Sequence, residues 1–223
     1  MHVSKHASRP TVLGGPVHVE LRSKAQCAGD SRLEEFRVGS GPAAKEVRLI
    51  LENLHSGEAL PQTVALLGEQ GGPLLGIASV RIDGYAQLRA KASTPWFVRR
   101  LSHNPYVNVI ARDERFRNHL LCDGSTRLGS ALLRAALEIV EHELRTPTTP
   151  TVWALLRRGN EASKRTFAEF AFYPHDRSSE NEQDVYVRRA GRRLPPAPPA
   201  DAYIPLGAEP EVRSLRRARE RSR

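Results

Sequence analysis

Apolar and polar positions along this chain follow two alternating rhythms, and together they predict a mixed α/β domain. Val17, Val19 and Leu21 point one way and His18 and Glu20 the other, the period of a half-buried strand. A turn cluster from Gly39 to Pro42 leads into Ala43–Leu54, where Val47, Ile50, Leu51 and Leu54 share one helical face and Gly57 closes the helix. Thr63–Leu67 is a short apolar strand. Glu69-Gln70-Gly71-Gly72-Pro73 then predicts a hairpin, with its partner strand over Leu74–Ile82 and a stop at Asp83-Gly84. From Tyr85 to Asn104 the pattern favours no element, although Pro95-Trp96-Phe97 suits one edge of a cleft.

Tyr106–Ala111 is almost wholly apolar, as a central strand buried on both faces should be. Leu128, Ala131, Leu132, Ala135, Ala136, Ile139 and Val140 then recur with a helical period, predicting a helix to about Leu144, before Pro147. Thr151–Leu156 is a further buried strand, Asn160 a helix N-cap, Glu161–Phe170 the helix it starts, and Val185–Val187 part of a last strand. The hairpin forces antiparallel pairing, so the order predicts one α/β domain over 16–189, with a mixed, mostly antiparallel central sheet flanked by helices. Residues 1–15 read as disordered. Residues 190–223, which open with AGRRLPPAPPA, read as a disordered Pro/Arg-rich basic tail.

Composition narrows the class. At 39% hydrophobic residues a sizeable core is possible, yet no apolar run nears the ~20 residues that span a bilayer. The first fifteen residues lack the apolar stretch of a signal peptide, so a soluble cytoplasmic protein without membrane contact is expected. Cys27 and Cys122 lie far apart, which fits a reducing compartment and offers no zinc motif; the eight histidines form no paired ligand motif either, and no metal is expected. The net charge of +9 invites a nucleic-acid reading. However, ten Arg against four Asp or Glu from Arg188 onward carry +6 of it, so nucleic acid is not the favoured partner. Oligomeric state is not legible.

The chemistry concentrates in Val107–Leu133, where a buried strand runs into a Gly-containing loop and straight into a helix. That order sets backbone N–H groups and the positive end of a helix beside a strand edge, a corner suited to a pyrophosphate. The strand–loop–helix of 106–144, followed by the strand–Asn–helix of 151–172, resembles in order and spacing the GNAT superfamily of acyl-CoA-dependent N-acetyltransferases. The first segment is similar to the family's R/Q-x-x-G-x-G/A motif; the second is similar to its Asn-initiated helix, which usually ends in Gly-Phe and here ends in Ala171-Phe172.

The resemblance implies acetyl-CoA as co-substrate and an amine acceptor attacking the thioester directly. It implies that Val109, Ile110 and Ala111 offer backbone groups to the pantetheine arm. It also implies that Ser125, Thr126, Arg127, Leu128, Gly129 and Ser130 wrap the pyrophosphate, and that Asn160 faces the cofactor near the thioester. The sequence departs from the pattern in four places. Arg127 stands where many members have Gly, and Gly124 where they have Arg or Gln. Asn118–Asp123 lengthens the loop. Phe167 replaces a common Tyr proton donor, which leaves Tyr173 as the nearby hydroxyl. No carboxylate lies on the central strand, so Asn108 is the candidate to orient a water. Two alternatives stay open: a GNAT-type toxin acetylating aminoacyl-tRNA, and a non-catalytic acyl-CoA-binding module on a decayed scaffold.

Overall fold

The computed structural model describes residues 10–21, 30–40, 44–56, 63–81, 104–141, 151–178 and 183–206. The strands are β1 (Thr11–Val12), β2 (Val17–Leu21), β3 (Thr63–Glu69), β4 (Leu74–Arg81), β5 (Tyr106–Arg112), β6 (His119–Leu120), β7 (Thr151–Arg157), β8 (Tyr173–Ser178), β9 (Gln183–Arg189) and β10 (Tyr203–Ile204). The helices are α1 (Ser31–Glu34), α2 (Ala44–Ser56), α3 (Leu128–Ile139) and α4 (Glu161–Glu169), with a single 3-10 turn at Glu114–Phe116. Eight strands form one sheet in the order β10-β2-β3-β4-β5-β7-β9-β8, while β1 and β6 make a separate parallel pair. Among the described residues, only β10–β2 and β5–β7 of the large sheet run parallel. The predicted mixed, mostly antiparallel α/β sheet is therefore what forms.

The hairpin β3–β4 sits mid-sheet because its residues are apolar on both faces, and each face receives a helix. Val47, Ile50, Leu51 and Leu54 of α2 cover Val64, Leu66, Ile77 and Val109. On the other face α3 lies over Ala65, Leu67, Ala78 and Val107. Gly76 makes that approach close: a Cβ there would meet the Leu132 methyls at 2.7 and 2.8 Å and the Ala111 carbonyl oxygen at 2.9 Å.

Helix α3 is buried all round, Arg134 and Glu138 included. The cover on its outer side is the segment 190–206, and this corrects the expectation of an unpacked tail from residue 190. Arg134 donates to the carbonyl oxygens of Pro195 and Pro196. The Tyr203 hydroxyl donates to Glu138 Oε2 at 3.0 Å, and the Leu206 N–H to the same oxygen at 3.2 Å. Ala202 and Tyr203 are buried, and β10 pairs with the outer edge of β2. Satisfying two buried charges with carbonyls and hydroxyls outweighs the poor apolar content of the segment. Residues 207–223 lie outside the described residues, as do 82–103, where the cleft edge at Pro95–Phe97 was expected. Of the segment 1–15 expected to be disordered, residues 1–9 lie outside the described residues, while Thr11 and Val12 pair with His119 and Leu120 and Leu13 is buried. Strand β8 is an element the periodicity did not reveal.

Ala171 follows α4 with φ +61°, a left-handed conformation that a Cβ disfavours. Its N–H and that of Phe172 return to Ala168 and Phe167 carbonyls, and Phe172 stacks edge-on against Phe167 at 4.9 Å. This is the position where the resembling motif has Gly. Ala171→Gly is expected to stabilise the fold by about 1 kcal/mol, read as a raised urea midpoint at constant slope. Gly76→Ala should do the opposite, costing about 1–3 kcal/mol through overpacking against α3.

Candidate active site

Strand β5 is the spine of the site. It pairs with β4 along its length, from Tyr106 opposite Arg81 to Arg112 opposite Gly76. Its register slips once, between Ser79 and Val80, so that Asn108 is the extra residue of a bulge. With β7 it pairs only through Tyr106–Trp153 and Val107–Ala154. The closed end is pinned by the Tyr106 and Trp153 rings at 4.4 Å and by the Trp153 indole N–H, which donates to the Asn104 carbonyl at 3.2 Å. Beyond Val107 the two strands part. The β7-facing edge of Asn108–Arg112 is left without a ladder partner, and Val109, Ile110 and Ala111 all lie on it.

Hollows lie along this opening from Ile110 onward to the start of α3. One of about 390 Å³ lies among Val38, Val47, Ile110, Arg112, Asn160 and Ser163. It shares Ile110, Arg112, Ala162 and Ser163 with a second, of about 140 Å³, that reaches Arg127, Gly129 and Phe167. Arg127 also borders a third, of about 310 Å³, walled by Ser130, Arg134, Phe170, Pro195 and Pro196. Helix α4 runs beside all three. Burial lowers the basicity of Arg112 at the shared wall, and the neighbouring Arg117 lowers it further, with Glu114 partly offsetting both. Among the described residues no cluster could hold a metal ion.

The predicted pyrophosphate corner divides in two. Asp123 Oδ1 accepts the backbone N–H groups of Ser125 and Thr126 at 3.0 and 2.9 Å, and its Oδ2 accepts both hydroxyls. Partial burial pushes the Asp123 carboxyl up, but the Thr126 and Ser125 hydrogen bonds outweigh it and hold it below the ordinary range. Ser125 and Thr126 thus grip their own carboxylate, a correction to the wrap expected of them. The reason is the six-residue lengthening of the loop, which brings Asp123 into capping distance. Arg127, Leu128, Gly129 and Ser130 form the start of α3, where Arg127 is the N-cap and makes no side-chain cap bond. Leu128 itself is core, while the Ser130 hydroxyl lies 3.3 Å from Glu169 Oε2.

The remaining candidates separate. Asn160 Oδ1 caps α4 by accepting the Ser163 N–H at 3.1 Å, and the residue also lines the largest of the three hollows. Phe167 is core, packed on Phe172. Tyr173 is not brought to the opening. It starts β8 opposite Val187, which pairs with Trp153, which pairs with Tyr106, so it sits three strands away, roughly 14 Å off at the usual spacing. The left-handed turn at Ala171 sends the chain there. Both amide protons of Asn108 are committed, one to Glu46 Oε1 at 3.0 Å and one to the Ser79 hydroxyl at 3.3 Å, which removes them from orienting a water. Glu46 is the residue that sequence reasoning missed: a glutamate in the first turn of a helix ordinarily signals nothing beyond a favourable dipole.

Asp113, at the end of β5, fixes one wall. Its carboxylate has no exposed surface and accepts the Arg37 N–H at 3.0 Å, the Arg115 N–H at 2.8 Å and the Arg115 guanidinium at 2.8 and 3.0 Å. Burial pushes this carboxyl up; the Arg115 side chain and the two backbone donors outweigh it and hold it low.

No family model matches the chain, and no curated protein matches it in sequence. Solved structures do. A GNAT-family acetyltransferase from Bacillus cereus is similar at 11% identity and TM-score 0.48, covering 78% of this chain and 98% of that one. The PaiA N-acetyltransferase from Thermoplasma acidophilum, solved with coenzyme A, is similar at 10% identity and TM-score 0.48, with the same coverage. The Campylobacter jejuni N-acetyltransferase PseH, solved with acetyl coenzyme A, is similar at 10% identity and TM-score 0.44, covering 77% and 99%. Identities and scores this low leave the chemistry of the site to its own residues.

Asp113→Asn is expected to cost about 2–3 kcal/mol at neutral pH through weakened charge-assisted bonds. Because the folded carboxyl is held below its ordinary range, its contribution is complete above that range and fades as pH falls through the lowered value. Urea midpoints of the wild type and the variant should lie furthest apart near neutrality and converge in strong acid. A gap that does not change with pH sinks this account.

Proposed function

We propose that this chain is a member of the GNAT superfamily that moves an acetyl group from acetyl-CoA to a primary amine. The observation that carries the reading is the parting of β5 and β7 at the place where the motif resemblance puts the pantetheine arm. An amide-bearing chain can add to the free edge of Asn108–Arg112 as another strand does. Five residues of edge span about 17 Å, room for an extended pantetheine. The diphosphate then falls at the start of α3. There Arg127 supplies charge, Gly129 lets the phosphates approach the backbone, and the uncapped helix end faces them. Ser125 and Thr126 hold the turn through Asp123 and leave the phosphates to Arg127–Ser130. Asn160 borders the arm opposite Ile110.

In this reading the thioester lies at the vertex of the opening, beside the bulge. Backbone groups freed there stabilise the oxyanion as the amine attacks, and fixing both reactants in one cleft supplies much of the rate. Phe167 carries no proton and Tyr173 is remote, so the departing thiolate, a good leaving group, is protonated by solvent. Among the described residues no helix is long and apolar enough to cross a membrane.

Calorimetry with acetyl-CoA tests the reading; no heat at millimolar ligand removes it. A Cβ at Gly129 would meet nothing within 4 Å, and Gly129 lines the smallest of the three hollows, so Gly129→Leu grows into the space assigned to the cofactor. Binding should vanish while the melting temperature holds. Arg127→Gln should weaken binding by about tenfold.

A further inference from the structure

The vertex of the opening holds one carboxylate that no part of the sequence motif points to. Glu46 projects from the first turn of α2 with its side chain 38% exposed. Its contacts among the described residues both fall on Oε1: the Asn108 amide at 3.0 Å and an Arg81 guanidinium nitrogen at 4.0 Å. Oε2 carries no contact among the described residues. The tether is specific, because Asn108 is the bulge residue, and its second amide proton is anchored on Ser79, which has no exposed surface. An extra residue in the strand thus spends its side chain on holding an α2 carboxylate beside the point where β5 loses β7.

Other carboxylates near the groove are engaged elsewhere. Asp113 is buried under four donors, Asp123 closes the 121–126 turn, Glu114 pairs with Arg117, and Glu169 faces the Ser130 hydroxyl. Glu46 alone among these touches the bulge. The side chain is 38% exposed, so an incoming cation can reach it.

We infer that Glu46 is the catalytic base for the acceptor, which arrives as an alkylammonium, and that Asn108 is its positioning residue. This rests on the acetyltransferase reading above. The ammonium gives one proton to Glu46 Oε2. The neutral amine then attacks the thioester carbon, forming the C–N bond as the carbonyl electron pair moves to oxygen. The nitrogen of the tetrahedral adduct loses a second proton to solvent. The pair returns, the C–S bond breaks with its electrons on sulfur, and the thiolate takes a proton from solvent, while Glu46 releases its own. One proton is liberated per acetyl group transferred.

The test is thiol release from acetyl-CoA with cadaverine as the amine, across a range of pH, for wild type, Glu46→Gln and Glu46→Asp. Gln keeps the size of the side chain and an acceptor oxygen for Asn108. Acetyl-CoA affinity by calorimetry should stay within about twofold in every variant. Amine-dependent kcat/KM should fall by about 100-fold in Glu46→Gln at neutral pH. The deficit should shrink as rising pH supplies free amine from solution, and Glu46→Asp should recover part of the rate. Equal release by wild type and Glu46→Gln overturns the assignment, as does a deficit that stays constant with pH, the mark of a merely structural role. Failure of the wild type to bind acetyl-CoA is a different result: it removes the acetyltransferase reading itself.

Discussion

A backbone edge withdrawn from its neighbour is the constraint on which this structure turns. Strand β5 is held on one side by β4 and on the other by only two residue pairs with β7. Each buried, unpaired peptide group costs about 1–3 kcal/mol, so an opening of this length persists only if water or a ligand satisfies it and if the surroundings hold the strands apart. The surroundings do so at both ends. Tyr106 and Trp153 clamp the vertex, and Asp113 locks the far end of β5 to the α1–α2 connection. Helix α4 then stands in the gap that a continuous sheet would have closed.

Elements defined by a repeating contrast between buried and exposed positions were legible in the sequence. Strands β3 and β4, helix α2 and helix α3 follow from the spacing of their apolar residues, because burial against one partner leaves a periodic trace. The bulge at Asn108 and the parting after Val107 leave none. They are properties of pairing between strands remote in sequence, and Val107-Asn108-Val109 reads like any other strand. Glu46 went unnoticed for the same reason: its meaning comes from a residue more than sixty positions away. Asp123 was visible in the loop, but its capping of Ser125 and Thr126 depends on the turn that the extra residues build. Tyr173 was near in sequence and distant in space, since one left-handed residue redirects the chain.

The segment after residue 190 shows how composition misleads. Four prolines and two arginines in AGRRLPPAPPA suggest a chain without a core to join. Yet proline lacks an N–H to satisfy, and its carbonyl is a good acceptor, so such a run suits burial against arginine. Arg134 uses the Pro195 and Pro196 carbonyls, while Arg188, almost fully buried, donates to Phe170 and Arg192 carbonyls. Burial lowers the basicity of Arg188, with Glu141 partly restoring it. A cation met by carbonyl oxygens alone avoids the geometric demands of a buried ion pair. It also packs the C-terminal residues against the face of α3 that leads to the third hollow.

The pairing of β10 with β2 joins residues far apart in sequence, Tyr203 to Val17 and Ile204 to His18. During synthesis β2 emerges well before β10, and its rim stays exposed until the later residues have been made. Contacts of such long sequence separation form late, and an uncovered rim invites foreign strands meanwhile. Two short hydrogen-bonded residues that arrive long after β2 therefore act as a seal on it, and any chain in which β10 has not yet been made carries that rim bare.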